Sequence, residues 1–327
     1  VSHIPDAVEH GAEIRTGSMA AEILIDAVGK TTGVRYFHTS SDGIVTEHVQ
    51  CAKAVIVAGY AIETPRLLLN SASTQFPEGL ANSSGLVGTH LMAQAGPVVW
   101  GRFEGMIRKH KAPPACAISE EFYETDPRND FVRGYALQTV SPLPIAMSHI
   151  VAEEGSLFGE DLIRAMQDYN HYAAIGVLGE ILPARDNRVA LDATVKDQFG
   201  LPVPHVTFGL GDNDRKMMQA GIKTAEQVLS AAGATETHWV ERFAHLVGSC
   251  RMGANADDSV VDQWCRSWDV PNLFVCDGSV LPTQGSANPG LTISALAART
   301  ADWIRQEAAN GTLRSRPHSG SSVGVSV

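Results

Sequence analysis

Alternating apolar and polar positions near the start of the chain predict a β-meander. Three short strand patterns, Ala21–Asp26, Gly33–His38 and Ile44–Val49, are separated by turn signals, of which Ser41-Asp42-Gly43 is the strongest. A further stretch, Gly11–Thr16, is predicted to be extended ahead of them. Strands joined by such short turns pair antiparallel with their neighbours in sequence.

A strand followed by a helix is predicted after the meander. Lys53–Gly59 is a continuous apolar run that ends in glycine, which is typical of a strand in a parallel sheet covered on both faces. Thr64 and Pro65 are predicted to be the N-cap and the first turn of a helix over Arg66–Asn70. Strand, glycine turn and helix together indicate a βα unit of the nucleotide-binding type.

From about residue 95 to 210 the pattern changes to antiparallel strands interrupted by proline-bearing loops. A helix is predicted within Leu157–Asn170. The predicted strands of this region are Val98–Phe103, Phe131–Leu137, Tyr172–Leu182 and Asn187–Asp192. We interpret this region as a second domain inserted into the first.

Helical periodicity returns in the last third of the chain. Asn213–Ala232 has apolar residues at three- and four-residue spacing and is ended by Gly233. A strand pattern over Val270–Ser279 contains an Asp-Gly pair close to its end, and Leu291–Ala309 is predicted to be the last helix. The Ser/Gly-rich segment Arg314–Val327 is predicted to be a disordered tail.

These patterns predict an α/β (α+β) fold, part of a Rossmann-like, dinucleotide-binding domain with an inserted antiparallel-sheet substrate domain. The predicted boundaries are 1–94 for the first part of the Rossmann-like domain and 95–210 for the inserted domain. Residues 211–312 are predicted to return to the first domain and complete it, and 313–327 form the tail.

Composition and charge narrow the range of partners. The 25 basic and 36 acidic residues give a formal charge of −11, which argues against sequence-wide attraction to nucleic acid or an anionic membrane. The five cysteines include no C-x-x-C pair and resemble neither a zinc site nor a disulfide framework, so no metal site is predicted. No apolar run approaches the roughly 18 residues of a membrane-spanning helix.

The first residues, Val1-Ser2-His3, contain neither an initiator Met nor the basic and apolar regions of a signal peptide. We therefore expect the chain to begin within a longer protein. This expectation leaves the compartment open, cytoplasmic or periplasmic.

Four segments carry residue types suited to chemistry. In chain order they are Val55–Ser71, Ala81–Met92, His245–Gly253 and Asp277–Thr292. Glycine at a strand end, as in the first segment, removes the Cβ that would block the approach of a ligand. The last segment places an aspartate ahead of a helix N-terminus, whose unpaired N–H groups suit a phosphate or the electron-rich end of a reduced flavin.

His245 is the strongest candidate for a catalytic group. It precedes a Val-Gly-Ser-Cys turn, and an imidazole titrates close enough to neutrality to accept the proton of an alcohol. The chain has 12 histidines, and a single histidine is more often structural than catalytic. His90, His110, His149 and His205 are interpreted as structural or surface residues.

Taken in order and with their separations, the four segments resemble the signatures of the glucose–methanol–choline (GMC) oxidoreductases. Ala58–Pro65 is similar to the second signature of that family, His245–Gly253 to its catalytic-histidine turn, and Asp277–Thr292 to its C-terminal flavin-contacting segment. The resemblance covers most of residues 7–309 and is faintest in about 100–180.

The resemblance implies FAD as the cofactor and oxidation of a CH–OH group of an alcohol, sugar or sugar acid. By this resemblance His245 is the general base, and Asn288 is the second active-site position, which hydrogen-bonds the substrate oxygen. The residues implied to contact FAD are Ala20, Ala58, Gly59, Asp277, Gly278, Asn288 and Pro289.

The sequence departs from the family pattern at three places. No G-x-G-x-x-G motif is present, so we expect the chain to be the C-terminal part of a longer enzyme that supplies only part of the FAD site. Ala93-Gln94 stands where an Asp-His pair is common, and we expect this change to affect details on the substrate side of the site more than the catalytic mechanism. Ser249 replaces the more usual threonine and keeps the hydroxyl.

The resemblance leaves several alternatives open. The pattern is closer to the bacterial sugar and gluconate-type dehydrogenases than to fungal glucose oxidases, which favours a dehydrogenase, whereas the electron acceptor stays open between quinone, cytochrome and oxygen. A hydroxynitrile lyase on the same fold is one alternative function. An inactive fragment that lacks the FAD pyrophosphate site is another.

Overall fold

The computed structural model describes residues 3–111, 113, 115–154 and 156–311. The predicted tail, 313–327, lies outside these residues. The helices are α1 (His3–Glu9), α2 (Tyr60–Asn70), α3 (Pro144–His149), α4 (Glu160–Gln167), α5 (Asp212–Ala231) and α6 (Gly290–Asn310). The strands are β1 (Ser18–Ile25), β2 (Thr31–Thr39), β3 (Val45–Cys51), β4 (Val55–Val57), β5 (Met92–Ala95), β6 (Val98–Arg102), β7 (Ile118–Ser119), β8 (Tyr135–Val140), β9 (Tyr172–Gly179), β10 (Arg188–Lys196), β11 (Pro202–Thr207), β12 (Glu236–Val240), β13 (Phe243–Val247) and β14 (Leu273–Val275).

The meander predicted near the start of the chain is confirmed. β1, β2 and β3 form an antiparallel three-stranded sheet in sequence order. The extended stretch predicted at Gly11–Thr16 is wrong, because these residues form a turn and a loop instead. Gly11 and Gly17 both adopt positive φ (92° and 64°), a left-handed conformation that breaks an extended run at both ends.

The apolar run after the meander forms a parallel strand pair, as predicted. β4 pairs with β14 in parallel register, Val55 with Leu273 and Val57 with Val275. Both strands are shorter than their sequence patterns. Only one face of β4 is covered in the described chain, because Ile56 is exposed.

The start of α2 differs from the sequence prediction. The helix begins at Tyr60, so Thr64 is not its N-cap and Pro65 lies inside it. Proline has no N–H to donate to the carbonyl four residues earlier. That carbonyl, Ala61 O, instead accepts a 2.8 Å hydrogen bond from the hydroxyl of Ser249. A distant part of the chain therefore accommodates a proline that local sequence rules place at the helix start.

The largest sheet contains seven antiparallel strands. β9 pairs with β6, β8 and, at its end, β5, while β12, β13 and β7 extend the sheet at its edges. The predicted strands of this region are confirmed, with β8 shifted toward the C-terminus. The last of them, β10, lies outside the large sheet and pairs with β11 in a separate antiparallel two-stranded sheet. β12 and β13 follow residue 211 in the chain, so strands from before and after the predicted boundary at 210 share one sheet.

Helices cover both faces of this sheet. On one face α5, predicted almost to the residue, buries Met217, Ile222 and Leu229 against the strands. The other face buries Trp100 with Met147 of α3. A separate apolar core surrounds β4 and β14, and Leu296 of α6 packs against both this core and the α5 core. The residues around α6 therefore lie where the parallel pair and the large sheet meet.

Within the described ranges, none of the helices is long and apolar enough to cross a membrane. The same residues contain no group of three or more His, Cys, Asp or Glu side chains that could hold a metal ion.

Candidate active site

A bulge in β13 sets the position of His245. Ala244 pairs with Gln94 of β5 and Val247 pairs with Met92, so β13 contains one residue more than its partner between these pairs. His245 lies in this bulge with φ of +51°. Positive φ is uncommon for a residue with a Cβ and costs of order 1–3 kcal/mol, so it is maintained by surrounding contacts and is frequent at active sites.

Both nitrogens of the His245 imidazole have protein partners. Nδ1 lies 2.6 Å from Oε1 of Gln94, and Nε2 lies 3.1 Å from Nδ2 of Asn288. The backbone oxygen of His245 accepts a 2.6 Å hydrogen bond from Nε2 of Gln284. Burial lowers the pKa of His245 below its ordinary value of 6.5, which favours the neutral imidazole at physiological pH. Neutral imidazole is the form that can accept a proton.

Gln94, which the sequence does not mark as a site residue, lies directly against His245. Its side chain is fully buried, and its Nε2 donates to the carbonyl oxygens of Gly285 (3.0 Å) and Ala287 (3.3 Å). Gln94 and His245 are 151 positions apart. No local motif marks their contact, which depends on the register of β5 against β13.

Asn288 and Pro289 lie at the N-terminus of α6. Asn288 is exposed, whereas Pro289 is buried and is the N-cap residue of the helix. The first turn of α6 presents N–H groups without intrahelical partners and the positive end of the helix dipole. Leu291, in this first turn, has 85% of its surface exposed. The amide that contacts His245 is therefore next to an accessible, electropositive helix end.

Asp277 connects β14 to the start of α2. Its Oδ2 accepts hydrogen bonds from the N–H of Tyr60 (2.9 Å) and the hydroxyl of Thr64 (2.6 Å). Its Oδ1 accepts from the N–H of Ser279 at 2.7 Å. The carboxylate thus lies at the N-terminus of α2, where a negative charge is stabilised. Protein donors already occupy both of its oxygens.

Gly278 lies where three elements converge. Its carbonyl accepts a 3.0 Å hydrogen bond from the N–H of Gly248, just after β13. A Cβ at this position would be 3.1 Å from Cδ1 of Ile293 in α6 and 3.3 Å from Cγ1 of Val247 in β13. The absence of a side chain therefore allows the His245 strand and the Asn288 helix to approach each other closely.

The structure brings most of the predicted site residues into one connected cluster. His245 contacts Asn288 directly, and Gly278 joins the His245 strand to the segment that carries Asp277. Ala58 and Gly59 follow β4, and Gly59 is joined to this cluster because its N–H donates to the Thr64 hydroxyl that binds Asp277.

Ala20 lies elsewhere, on β1 of the meander. It lines an open groove of about 420 Å³ together with Glu13, Arg15, Ser18, Val34, Tyr36 and Gln50. The groove residues come from the meander and the loop before it, not from the segments around His245.

Comparison with known families identifies two matching stretches. Residues 1–94 and residues 183–297 each match a family model described as GMC oxidoreductase. Together these stretches make up more than half of the chain.

Curated relatives match nearly the whole chain. The 2-methyl-1,2-propanediol dehydrogenase of Mycolicibacterium austroafricanum is 37% identical over 321 residues, covering 93% of this chain and 56% of that protein. The fructose dehydrogenase large subunit of Gluconobacter japonicus is 29% identical over 307 residues, covering 92% of this chain and 55% of that protein. The chain therefore spans just over half the length of these relatives.

A solved structure shares the fold. A variant of the formate oxidase of Aspergillus oryzae RIB40, solved in a study of FAD modification, superposes with a TM-score of 0.66 at 18% identity. The superposition covers 91% of this chain and 61% of that one. At this identity the likeness shows the fold alone, and it confirms the predicted mixed α/β class.

Proposed function

Because this chain belongs to the GMC oxidoreductase family, we propose that it forms the catalytic part of an FAD-dependent enzyme that oxidises the CH–OH group of an alcohol or sugar. The observation that carries this proposal is the pairing of His245 Nε2 with the side-chain amide of Asn288 at the start of α6. This pairing provides a proton acceptor and a hydrogen-bond donor within 3.1 Å of each other.

The chain's own residues fit the flavin end of FAD. Oε1 of Gln284 is buried and has no hydrogen-bond partner among the described residues, and a flavin ring carries an N–H donor that would satisfy it. The N-terminus of α6 suits the electron-rich pyrimidine of a reduced flavin. Gly278, Asn288 and Pro289 would line this end. Asp277 would contribute through its backbone, since donors within the protein occupy its carboxylate.

The other end of FAD would lie along Ala58, Gly59 and Ala20. Ala58 and Ala20 are exposed, so both are accessible to an adenosine. The chain contains no G-x-G-x-x-G motif for a pyrophosphate. We infer that the described residues supply part of the FAD site, and that residues outside this sequence complete it in the active enzyme.

His245 would act as the general base. Its neutral imidazole holds a lone pair on Nε2, which would take the proton of the substrate hydroxyl. Asn288 would donate its amide hydrogen bond to the substrate oxygen and hold it beside Nε2. FAD, when bound, would supply the redox chemistry, as the acceptor of hydride from the carbinol carbon.

The start of α6 would stabilise charge as the reaction proceeds. Proton removal by His245 places negative charge on the substrate oxygen, close to Asn288 and the first N–H groups of the helix. Fixed dipoles oriented toward developing charge need no reorganisation during the reaction, so they lower the barrier.

We propose dehydrogenase activity on a polyol or sugar, and two curated relatives support this choice. The two curated relatives above are named as dehydrogenases of 2-methyl-1,2-propanediol and of fructose. Both names describe oxidation of a hydroxyl-bearing carbon in a small polar molecule, and we propose the same substrate class here.

The proposal is tested by recording the flavin spectrum of the purified protein, expressed with whatever coding sequence precedes Val1. Anaerobic addition of 2-methyl-1,2-propanediol, fructose or gluconate is expected to bleach the flavin absorbance with at least one substrate. A protein without bound flavin would overturn the proposal. Bound flavin that no hydroxyl substrate bleaches would instead favour a lyase, in which flavin has a structural role.

A further inference from the structure

We propose that Gln94 is a positioning residue whose side-chain amide fixes the proton of His245 on Nδ1 and leaves Nε2 free to accept the substrate proton. The proposal rests on the proposed role of His245 as the base. It assigns a function to the position that departs from the family's Asp-His pattern.

The orientation of the Gln94 amide is determined by its surroundings. Its Nε2 is close to two carbonyl oxygens, those of Gly285 and Ala287. Carbonyl oxygens only accept hydrogen bonds, so the NH2 group must face them, and Oε1 must face His245. Since the residue is fully buried, water cannot replace either set of contacts.

This orientation determines the tautomer of the imidazole. Oε1 can only accept, so the nitrogen 2.6 Å away, Nδ1 of His245, must carry the proton. In the opposite tautomer two lone pairs would face each other across this distance. The loss of one buried hydrogen bond shifts such an equilibrium roughly ten-fold or more. Nε2 is therefore the unprotonated nitrogen of the neutral ring.

Asn288 cannot make this selection by itself. Its side chain is exposed and its Nδ2 contacts Nε2 of His245, but an exposed amide can rotate to present either its oxygen or its nitrogen. Gln94 cannot rotate without facing its oxygen toward two carbonyls. The tautomer is thus set from the buried side of the ring, and the amide of Asn288 adapts to it.

Gln94 also links the base to the segment that carries Asn288. Gly285 and Ala287 lie three positions and one position before Asn288 in the chain, and Gln94 lies opposite Ala244 in the β5–β13 pair. One side chain therefore connects the strand of the base with the loop that leads to α6. Its loss would change both the tautomer and the position of Asn288.

Two variants separate these effects. Gln94→Met keeps the length of the side chain and removes both the acceptor and the donor. Gln94→Glu keeps an acceptor for Nδ1–H but removes the donor to the loop. The hydrogen-bond partners of the His245 ring are uncharged amides, and burial alone accounts for its lowered pKa. A carboxylate at position 94 would therefore be the new charge facing the ring.

The test is nitrogen NMR of the protein labelled with ¹⁵N-imidazole histidine, with His245 assigned from its absence in His245→Ala. In the unsubstituted protein near pH 8, we expect a neutral ring with the proton on Nδ1 in more than about nine-tenths of molecules. Gln94→Met is expected to raise the fraction protonated on Nε2 at least several-fold. Gln94→Glu is expected to keep the proton on Nδ1 and to move the titration midpoint of His245 to higher pH.

A proton on Nε2 in the unsubstituted protein would overturn the proposal, as would an unchanged tautomer in Gln94→Met. If Gln94→Met fails to fold, the tautomer in Gln94→Glu is decisive. A neutral His245 ring with its proton on Nε2 in that variant would contradict the contact, because the glutamate side chain still offers an oxygen that accepts from Nδ1. The measurement needs neither turnover nor substrate. It can therefore fail while flavin bleaching succeeds, or succeed while bleaching fails.

Discussion

The hydroxyl of Thr64 donates a 2.6 Å hydrogen bond to the carboxylate of Asp277, 213 positions later in the chain. The N–H of Tyr60 donates to the same oxygen, so this one carboxylate connects the first turn of α2 with the end of β14. The contact joins the two segments that carry Gly59 and Gly278. It also gives a role to Thr64 inside α2, where local sequence rules instead predict an N-cap residue.

Replacing Thr64 by valine is expected to destabilise the protein by about 1–3 kcal/mol, because the substitution leaves buried polar partners without their hydrogen bond. Chemical denaturation monitored by circular dichroism would measure the change. Thr64→Ser, which keeps the hydroxyl, should restore most of the stability. Thr46→Val on the exposed strand β3 is the matched control, and equal effects at positions 64 and 46 would refute this role.

Gly278→Ala is expected to weaken the protein and to displace α6. The added Cβ would lie 3.1 Å from Ile293 and 3.3 Å from Val247, and overpacking of this kind costs typically about 1–3 kcal/mol. Gly209→Ala is the control, since a Cβ there meets no atom within 4 Å. The free energy of unfolding of both variants checks the prediction. If the two variants have indistinguishable free energies of unfolding, the segment at Gly278, β13 and α6 can separate at little cost.

The elements predicted well from sequence are those whose signals are local. The meander, α5 and α6 follow from alternation, helical spacing and turn residues within one segment. The start of α2 differs from the sequence prediction because the partners that permit it, Asp277 and Ser249, lie far along the chain. Propensity rules contain no information about such partners.

The candidate site shows the same difference between what sequence signals predict and what depends on distant partners. The sequence resemblance led to His245 and Asn288, and the structure places them in contact. The sequence does not mark Gln94, because its proposed role depends on three conditions that sequence does not show. These are the register of β5 on β13, the bulge that turns His245 toward it, and its complete burial.

Stability is expected to fall as pH falls below about 6.5. Burial lowers the pKa values of His90, His238 and His245 below their ordinary value of 6.5. The unfolded chain then binds protons at a higher pH than the folded one, so these groups cost no stability above 6.5 and reduce it progressively below. Urea unfolding at pH 7.5 and 5.5 measures the difference. Equal or greater stability at pH 5.5 would contradict these pKa directions.

The rate of flavin reduction should show an acid limb below pH 6.5. The proposed base must be neutral to accept a proton, and its pKa is lowered by burial. Activity is therefore expected to be on its plateau at neutral pH and to decline only in more acidic solution. A pH series of single-turnover reductions at saturating substrate gives the profile. An acid limb centred above pH 7 would exclude His245 as the group observed.

Rapid-mixing measurement of flavin reduction in His245→Ala tests most directly whether His245 removes the substrate proton. We predict a reduction rate at least about a hundred-fold lower than that of the unsubstituted enzyme. His110→Ala, at an exposed histidine, should leave the rate unchanged. A rate in His245→Ala within about three-fold of the unsubstituted enzyme would contradict the claim, since loss of a general base costs of order 10² or more.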